Sequence, residues 1–291
     1  MKIIRFSDGL ANRMFQYSYY LYLKKLGFEV ALDDSTPHYL EHDEVDWIRI
    51  FPNAYYLKAP KNKCLLYGGG FDIFSKILRH YLKCLSKCRK MDNAFETPST
   101  EQIKKFNYFI GVMLNANMVD EVHEEVKKAF KFTDFEPNSS NLDIVKEIKS
   151  NNSISIHVRK GKDYMNRTIY NRTCSIDYYL RAIEYMNNHV QNPHFYVFTD
   201  NPQWVKMNLK DIDYIIIENN PTVGWGNHFD MQLMSCCKHN IIANSTYSWW
   251  GAYLNPNNNK IVICPKDWFN PQKYHIIHTM QYTICKGWIT M

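Results

Sequence analysis

The second half of the chain alternates strand-like and helix-like segments about five times, and this alternation constrains the fold more than any other feature. The strand-like runs are rich in β-branched and aromatic residues. They are Ser153–Arg159, Phe195–Thr199, Tyr214–Ile217, Asn240–Ala243 and Ile261–Cys264. Strands separated by helical segments predict a doubly wound parallel sheet with right-handed crossovers. The second half is therefore expected to fold as a Rossmann-like domain.

The first half opens with a related pattern. Lys2–Phe6 predicts a strand, Met14–Leu26 a helix that Gly27 ends, and Phe28–Leu32 a second strand. This β-loop-α-β order is the start of a second Rossmann-like unit. The polar stretch Thr133–Asn141 breaks the pattern and predicts a linker. We therefore expect an α/β protein with two domains, residues 1–141 and 142–291.

Composition narrows the function classes. The chain has 291 residues, a net charge of +6 and 15% aromatic residues. This charge suits a phosphate-bearing ligand, but it is too small to indicate nucleic-acid binding. No run of 18 apolar residues is present, and the N-terminus MKIIRF lacks the apolar core of a signal peptide. The eight cysteines lack C-x-x-C spacing, so reduced thiols and a cytoplasmic location are expected.

The turn after the Ser153–Arg159 strand is basic. His157 and Arg159 alternate with apolar residues, so both side chains should point to the same side of the strand. Lys160, Gly161 and Lys162 then end the strand in a flexible turn. Ligands of open α/β sheets bind outside the carboxyl ends of the strands, and arginine can hold a phosphate with two hydrogen bonds. A phosphate site is therefore predicted at this turn.

Polar residues also follow two other strands of the predicted sheet. Asp200 follows one strand, and Asn244-Ser245-Thr246 follows another and precedes a helix. Because parallel strands present their carboxyl ends at one edge, these groups should converge on the turn at Arg159. Two plainer interpretations stay open: His157 as a satisfied core histidine, and Asn244–Thr246 as a helix cap alone. No Asp-x-Asp pair follows a strand, so we expect a diphosphate to be bound without a metal.

The stretch Ile73–Lys90 predicts a basic amphipathic helix. Apolar residues recur at a spacing of four, and lysines and arginines dominate the polar side. Such a helix can lie on an anionic membrane surface, and it can equally be a solvated surface helix.

Four segments of the chain resemble, in order and spacing, the bacterial α-1,2-fucosyltransferases. They are Gly9–Tyr17, His157–Tyr164, Phe198–Asp200 with Trp204, and Asp230–Leu254. The resemblance implies a GT-B architecture, in which two Rossmann-like domains face each other across a cleft. It further implies inverting, metal-independent transfer of fucose from GDP-β-L-fucose to the 2-hydroxyl of a galactose-terminated glycan. A lipid-linked acceptor and contact with the inner membrane face are additional expectations.

The resemblance also implies roles for individual residues. Arg159 would bind the donor diphosphate, His157 would lie against the nucleotide, and Asp230 would bind guanine or orient the donor loop. The residues expected at the donor are His157, Arg159, Lys160, Asp200, Asp230, Asn244, Ser245, Thr246 and Ser248. Those expected at the reaction centre are Arg159, Asn12, Asp8 and Asp163, with Asp8 and Asp163 as alternative general bases.

Some positions depart from the family pattern. Lys162 is an extra residue before Asp163, and Lys160 stands where the family usually has a second arginine. Asp8 replaces a usual glycine, and Asn201 replaces a second aspartate. The competing interpretations are a fucosyltransferase of other linkage, an enzyme that uses another GDP-sugar, and a non-catalytic glycan-binding relative.

Overall fold

The structure is a computed structural model in which the chain divides into two compact units, Met1–Thr133 and Asp134–Met291. The division falls at the first residue of the stretch that the sequence predicts as a linker. The residues described are 1–35, 45–67, 73–74, 77, 80–81, 90–92, 97–170, 173–218, 220–270 and 282–291.

The first unit is built on a parallel sheet. In its described part the strand order is β2-β1-β4-β3, and every pair is parallel. Its strands are β1 (Lys2–Arg5), β2 (Val30–Asp33), β3 (Lys90–Asp92) and β4 (Tyr108–Ile110). Its helices are α1 (Leu10–Lys25), α2 (Trp47–Ile50), α3 (Lys61–Tyr67), α4 (Thr100–Lys105), α5 (Ala116–Asp120) and α6 (His123–Ala129).

The second unit contains a longer parallel sheet, in the order β10-β9-β8-β5-β6-β7. Its strands are β5 (Asn152–Val158), β6 (Pro193–Thr199), β7 (Tyr214–Ile217), β8 (His239–Ile241), β9 (Val262–Cys264) and β10 (Ile289–Thr290). Its helices are α7 (Asn141–Ser150), α8 (Lys162–Met165), α9 (Ile176–His189), α10 (Pro202–Asn208), α11 (Phe229–Cys236) and α12 (Thr246–Tyr253). Two units of parallel sheet and helix confirm the α/β class and the pair of Rossmann-like units that a GT-B protein has.

The strand order places a topological switch point beside β5. Strands β6 and β7 follow on one side of β5, whereas β8, β9 and β10 lie on its other side. The crevice between the carboxyl ends of β5 and β8 is where ligands of such sheets bind. Strand β5 is central, so residues on both of its faces are buried, among them Ile154, Ser155 and Ile156.

Helices α11 and α12, which flank the switch point, pack closely. A Cβ atom added at Gly251 of α12 would lie 2.9 Å from Cβ of Met234 in α11. Glycine at this position therefore lets the two helix backbones approach each other. This contact holds the second half of α12 against the second half of α11.

Two stretches of the first unit differ from what their sequence predicts. The apolar spacing of Val119–Phe130 predicts one amphipathic helix, but the structure has the two short helices α5 and α6 there. The polar stretch Asn93–Gln102 predicts a loop, but its last residues begin α4, which Ser99 and Gln102 cap reciprocally. Within the described residues, no helix is sufficiently long and apolar to span a bilayer.

Candidate functional site

Hydrogen bonds connect the turn after β5 to the neighbouring turn after β6. The backbone N–H of Lys160 donates to Oδ1 of Asp200 over 2.6 Å. The amide of Asn201 donates to the backbone oxygen of Lys160 over 2.9 Å, and its Oδ1 caps helix α10. Asp200 and Asn201 therefore hold both polar groups of the Lys160 backbone. This observed position of Asp200 supports the turn that carries the cations.

Arg159 spans the switch point toward helix α12. Its Nη1 lies 3.4 Å from Oγ of Ser245, and its guanidinium carbon lies 5.5 Å from the centre of the Tyr164 ring. Ser245 caps α12 by accepting the N–H of Tyr247. Arg159 is half-buried. The structure thus brings a guanidinium to the N-terminus of a helix, and both attract an anion.

Lys160 lies between aromatic rings. Its Nζ is 5.4 Å from the ring of Trp204 and 5.9 Å from the ring of Tyr164, and the residue is only 8% exposed. Burial lowers the pKa of this ammonium. A buried cation held by ring faces keeps much of its attraction for an anion, because water does not screen it fully.

His157, near the end of β5, has a neutral ring close to Tyr247 of α12. Burial, aided by the charge of Arg159, lowers the pKa of His157 to about 3. Its Nδ1 is buried and has no hydrogen-bond partner among the described residues. The ring centre is 6.1 Å from that of Tyr247. The interpretation of His157 as a satisfied core histidine therefore does not match its surroundings.

Asp230 lies in the first turn of α11, and Tyr247 connects it to the region of His157. The hydroxyl of Tyr247 accepts the N–H of Met231 over 3.0 Å and donates to the backbone oxygen of Asn227. Asn220 donates its amide to Oδ1 of Asp230 over 2.7 Å. Burial raises the pKa of Asp230 to about 6, and the hydrogen bond from Asn220 limits the rise.

Asn244 and Ser248, two residues expected at the phosphate, form hydrogen bonds with other residues of the second unit. The side chain of Asn244 accepts from the hydroxyl of Tyr164 and donates to the backbone oxygen of Trp268. The hydroxyl of Ser248 is fully buried and lies 3.4 Å from the backbone oxygens of Ala243 and Ser245. Their observed contacts stabilise the loop and helix around Ser245. Thr246, by contrast, is half-buried at the first position of α12.

The remaining candidates belong to other parts of the chain. Asp8 and Asn12 lie in the first unit, at the turn after β1 and in the first turn of α1. Asp8 is exposed and has a left-handed backbone, with φ of 69°. Asp163 lies in α8, and its side chain is outside the described residues. Within the described ranges, no group of three acidic, histidine or cysteine side chains could hold a metal ion.

Sequence reasoning missed several residues that shape this site. Tyr247, Tyr164 and Asn220 each contact a predicted site residue through the folded structure, and periodicity gives no signal for such contacts. Asn201 could have been found, because Asn before Pro at a predicted helix start is a capping pattern.

Comparison with known proteins decides the family. The model of glycosyl transferase family 11 matches residues 90–291, which include β3, β4 and the whole second unit. The chain belongs to glycosyl transferase family 11. This family 11 chain is therefore a glycosyltransferase, and the resemblance found in its motifs is confirmed at the level of the family.

Two curated relatives of this family 11 chain come from Escherichia coli. The O-antigen biosynthesis glycosyltransferase WbnK is 30% identical over 285 residues, covering 90% of this chain and 93% of the relative. An α-1,2-colitosyltransferase is 28% identical over 288 residues, covering 93% of both chains. The similarity extends over both units.

Solved structures of fucosyltransferases are also similar to the chain. The fucosyltransferase NodZ from Bradyrhizobium gives a TM-score of 0.46 at 13% identity and covers 86% of this chain and 91% of its own. POFUT1 without ligand gives a TM-score of 0.47 at 9% identity, covering 90% and 97%.

Proposed function

We propose that this family 11 enzyme transfers L-fucose from GDP-β-L-fucose to the 2-hydroxyl of a galactoside, with inversion at the fucosyl carbon. Family membership supports the reaction class. The assignment of the donor rests on the position of Arg159, whose side chain reaches Ser245 at the start of α12, across the switch point. A guanidinium and a helix N-terminus at one crevice suit a pyrophosphate.

In the proposed reaction the charge that grows on the departing GDP is stabilised by Arg159, Lys160 and the backbone N–H groups at the start of α12. Interactions that strengthen as charge develops lower the barrier more than those that bind the substrate alone. The acceptor hydroxyl attacks the fucosyl carbon from the opposite side and forms the new glycosidic bond as the bond to GDP breaks. Its proton passes to a carboxylate, for which Asp8 and Asp163 are the candidates, with Asn12 beside the reaction centre.

The nucleoside end of the donor is assigned to the region of His157 and Asp230. The neutral His157 ring would lie against the nucleotide, since its pKa of about 3 keeps it uncharged beside Arg159. A carboxylate such as Asp230 can accept both the N1–H and the 2-amino N–H of guanine. No other common base offers this pair of adjacent donors, so a carboxylate favours a GDP-sugar.

A second candidate donor is GDP-colitose. One relative is named an α-1,2-colitosyltransferase, and colitose is L-fucose without its 3-hydroxyl. The groups proposed to hold the GDP part would serve either donor. The choice between them then depends on contacts to a single hydroxyl of the sugar.

A donor screen tests this proposal. Purified enzyme would be given β-galactosides with GDP-fucose, GDP-colitose or GDP-mannose, and products would be followed by mass spectrometry. We expect transfer from GDP-fucose, 2-linked galactose on methylation analysis, and an α-linked product by NMR. Transfer only from GDP-colitose would favour the second candidate, and transfer only from GDP-mannose would contradict both. Another linkage would exclude the 2-hydroxyl.

We also propose that the reaction needs no metal, because Arg159 and Lys160 supply positive charge at the diphosphate. The initial rate after dialysis against EDTA is expected to stay within about twofold of the untreated enzyme. Restoration of a lost rate by Mg²⁺ or Mn²⁺ would contradict this part.

The proposed setting is the cytoplasmic face of the inner membrane, beside a lipid-linked acceptor. Four apolar residues of the basic stretch are strongly exposed: Ile73 at 70%, Phe74 at 81%, Ile77 at 63% and Tyr81 at 68%. Most of the stretch lies outside the described residues, and its sequence carries lysines and arginines but no acidic residue after Asp72 as far as Lys90. Apolar and basic groups together suit an anionic bilayer. Failure to float with anionic liposomes at low salt would exclude this contact.

A further inference from the structure

Asp230 is the end of a chain of three polar side chains. Asn141, at the start of α7, donates its amide to Oδ1 of Asn220 over 2.9 Å. Asn220 in turn donates its own amide to Oδ1 of Asp230 over 2.7 Å. Asn141 is 3% exposed, whereas Asn220 and Asp230 are half-buried. The chain therefore runs from the interior of the second unit toward its surface and ends on a carboxylate.

The direction of the Asn220 amide is set by its two neighbours in this chain. Asn220 must present its oxygen to Asn141 in order to present its N–H groups to Asp230. An Asn220 side chain turned the other way would place an amide oxygen against the carboxylate. Asn141 thus sets the orientation of Asn220, and Asn220 sets the position of the carboxylate of Asp230.

Tyr247 connects the start of α11 to His157. Its hydroxyl accepts the N–H of Met231, the residue after Asp230, and its ring lies 6.1 Å from the ring of His157. Arg159, two residues after His157, reaches Ser245, which caps the helix that carries Tyr247. These contacts link an arginine, a neutral imidazole and the helix turn that carries the Asp230 carboxylate. They are the kinds of group that suit a diphosphate, a nucleoside and a guanine base.

We propose that Asn220 and Asn141 are positioning residues that hold the Asp230 carboxylate so that it distinguishes guanine from other bases. This inference rests on the proposed GDP-sugar donor. Asn220 occupies Oδ1 of Asp230 from one side, and the carboxylate keeps its other lone pairs for the base. The residues act through Asp230 and are not expected to touch the reacting atoms.

Inosine diphosphate is the probe that isolates this effect. It keeps the N1–H of GDP and lacks only the 2-amino group, so it removes one hydrogen bond to the carboxylate. A hydrogen bond to a charged group corresponds to about tenfold or more in affinity. The wild-type protein is therefore expected to bind GDP about tenfold more tightly than IDP in calorimetry.

Variants of the two asparagines are expected to reduce that preference. Asn220→Ala should lower it to less than about threefold, because the carboxylate loses the group that orients it. Asn141→Ala should lower it by a smaller factor, and Asp230→Ala should abolish it. Asn187→Ala on the exposed side of α9 is the matched control and should keep the wild-type ratio. The ratio of two dissociation constants does not depend on the folded fraction, so partial unfolding of a variant does not imitate the effect.

The outcomes separate this inference from the proposed function. A wild-type preference for GDP that Asn220→Ala and Asn141→Ala leave unchanged would overturn the inference and leave the GDP-sugar donor standing. Equal binding of GDP and IDP by the wild type would also overturn it. Binding of UDP or ADP as tightly as GDP would overturn the proposed donor itself.

Discussion

In each unit one side chain connects the two turns at the switch point of the sheet. The switch point lies between β1 and β4 in the first unit and between β5 and β8 in the second. The connecting side chain is neutral in the first unit and charged in the second. In the first unit Gln16, which is 1% exposed, accepts the N–H of Ser7 after β1 and donates to the backbone oxygen of Gly111 after β4. In the second unit the half-buried Arg159 reaches from the end of β5 to Ser245 after β8. The first bridge satisfies two backbone groups with a neutral amide. The second brings a permanent charge to the same place in the sheet.

This difference shows how the switch point of a parallel sheet can be built either to stabilise the fold or to attract an anion. A buried neutral amide that joins two turns stabilises the fold and has little capacity left for a ligand. A guanidinium carries a permanent charge and five N–H donors in a planar fork, which matches the oxygens of a phosphate. The architecture thus fixes where each turn lies, and the proposed function assigns the phosphate to the crevice that has the charged bridge.

The largest expected effect comes from breaking the neutral bridge. Gln16→Ala leaves the N–H of Ser7 and the oxygen of Gly111, both in half-buried residues, without this partner, at about 1–3 kcal/mol for each group. We expect the free energy of unfolding, measured with urea, to fall by about 2–4 kcal/mol. The affinity of the surviving folded protein for GDP should stay the same. A weakened affinity without lost stability would contradict the structural role.

A smaller effect is expected at the support of the cationic turn. Asp200→Ala removes the acceptor of the Lys160 N–H, which should cost about 1–3 kcal/mol of stability and lower kcat/KM for GDP-fucose by about tenfold or more. Asp200→Asn, which keeps an acceptor oxygen, is the control and should retain most of the activity. Equal activity of Asp200→Ala and the wild type would show that the turn does not need this support.

Carboxylates of the two units should respond differently to pH. Hydrogen bonds from Lys58 and Tyr56 outweigh burial and lower the pKa of Asp34 in the first unit. Burial raises the pKa of Asp230 to about 6. Because guanine needs the ionised carboxylate, KM for the donor should rise about tenfold between pH 7 and pH 5.

The free energy of unfolding should increase as the pH falls from 6 to 4, whereas the affinity for the donor should decrease. Between about pH 4 and 6 the unfolded Asp230, whose ordinary pKa is 3.8, loses its proton before the folded one, so the free energy of unfolding falls as pH rises. Asp230→Asn should remove this dependence together with the acid rise in KM. A wild-type KM that is constant from pH 5 to 7 would contradict the assignment.

The smallest effect is expected at the turn after β1. Asp8 has a φ of 69°, where glycine is favoured over a residue with a side chain. Asp8→Gly should raise the free energy of unfolding by about 0.5 kcal/mol, since relief of backbone strain exceeds the entropy cost of glycine only slightly. Turnover measured on the same sample tests Asp8 as the general base. An unchanged kcat would leave Asp163 as the carboxylate candidate.

Much of the second unit could be predicted from its sequence. Strand β7 has the predicted bounds Tyr214–Ile217, and the convergence of Arg159 with Ser245 follows from the shared edge of parallel strands. Strand β3 was missed because its first residue, Lys90, ends the basic stretch Ile73–Lys90, whose spacing predicts a helix. Strand β10 has two residues, which are too few to show a period. Gln16 and Asn220 were missed for another reason: their partners lie in loops whose positions only the fold determines.

Substitution of Arg159 tests the central claim most directly. Initial rates with GDP-fucose would be measured for the wild type, Arg159→Ala, Arg159→Lys and the exposed control Arg167→Ala. We expect Arg159→Ala to lower kcat by about 100-fold to 1,000-fold and Arg159→Lys to recover part of that loss. Arg167→Ala should match the wild type. Near wild-type turnover by a folded Arg159→Ala protein would contradict the account of the diphosphate site.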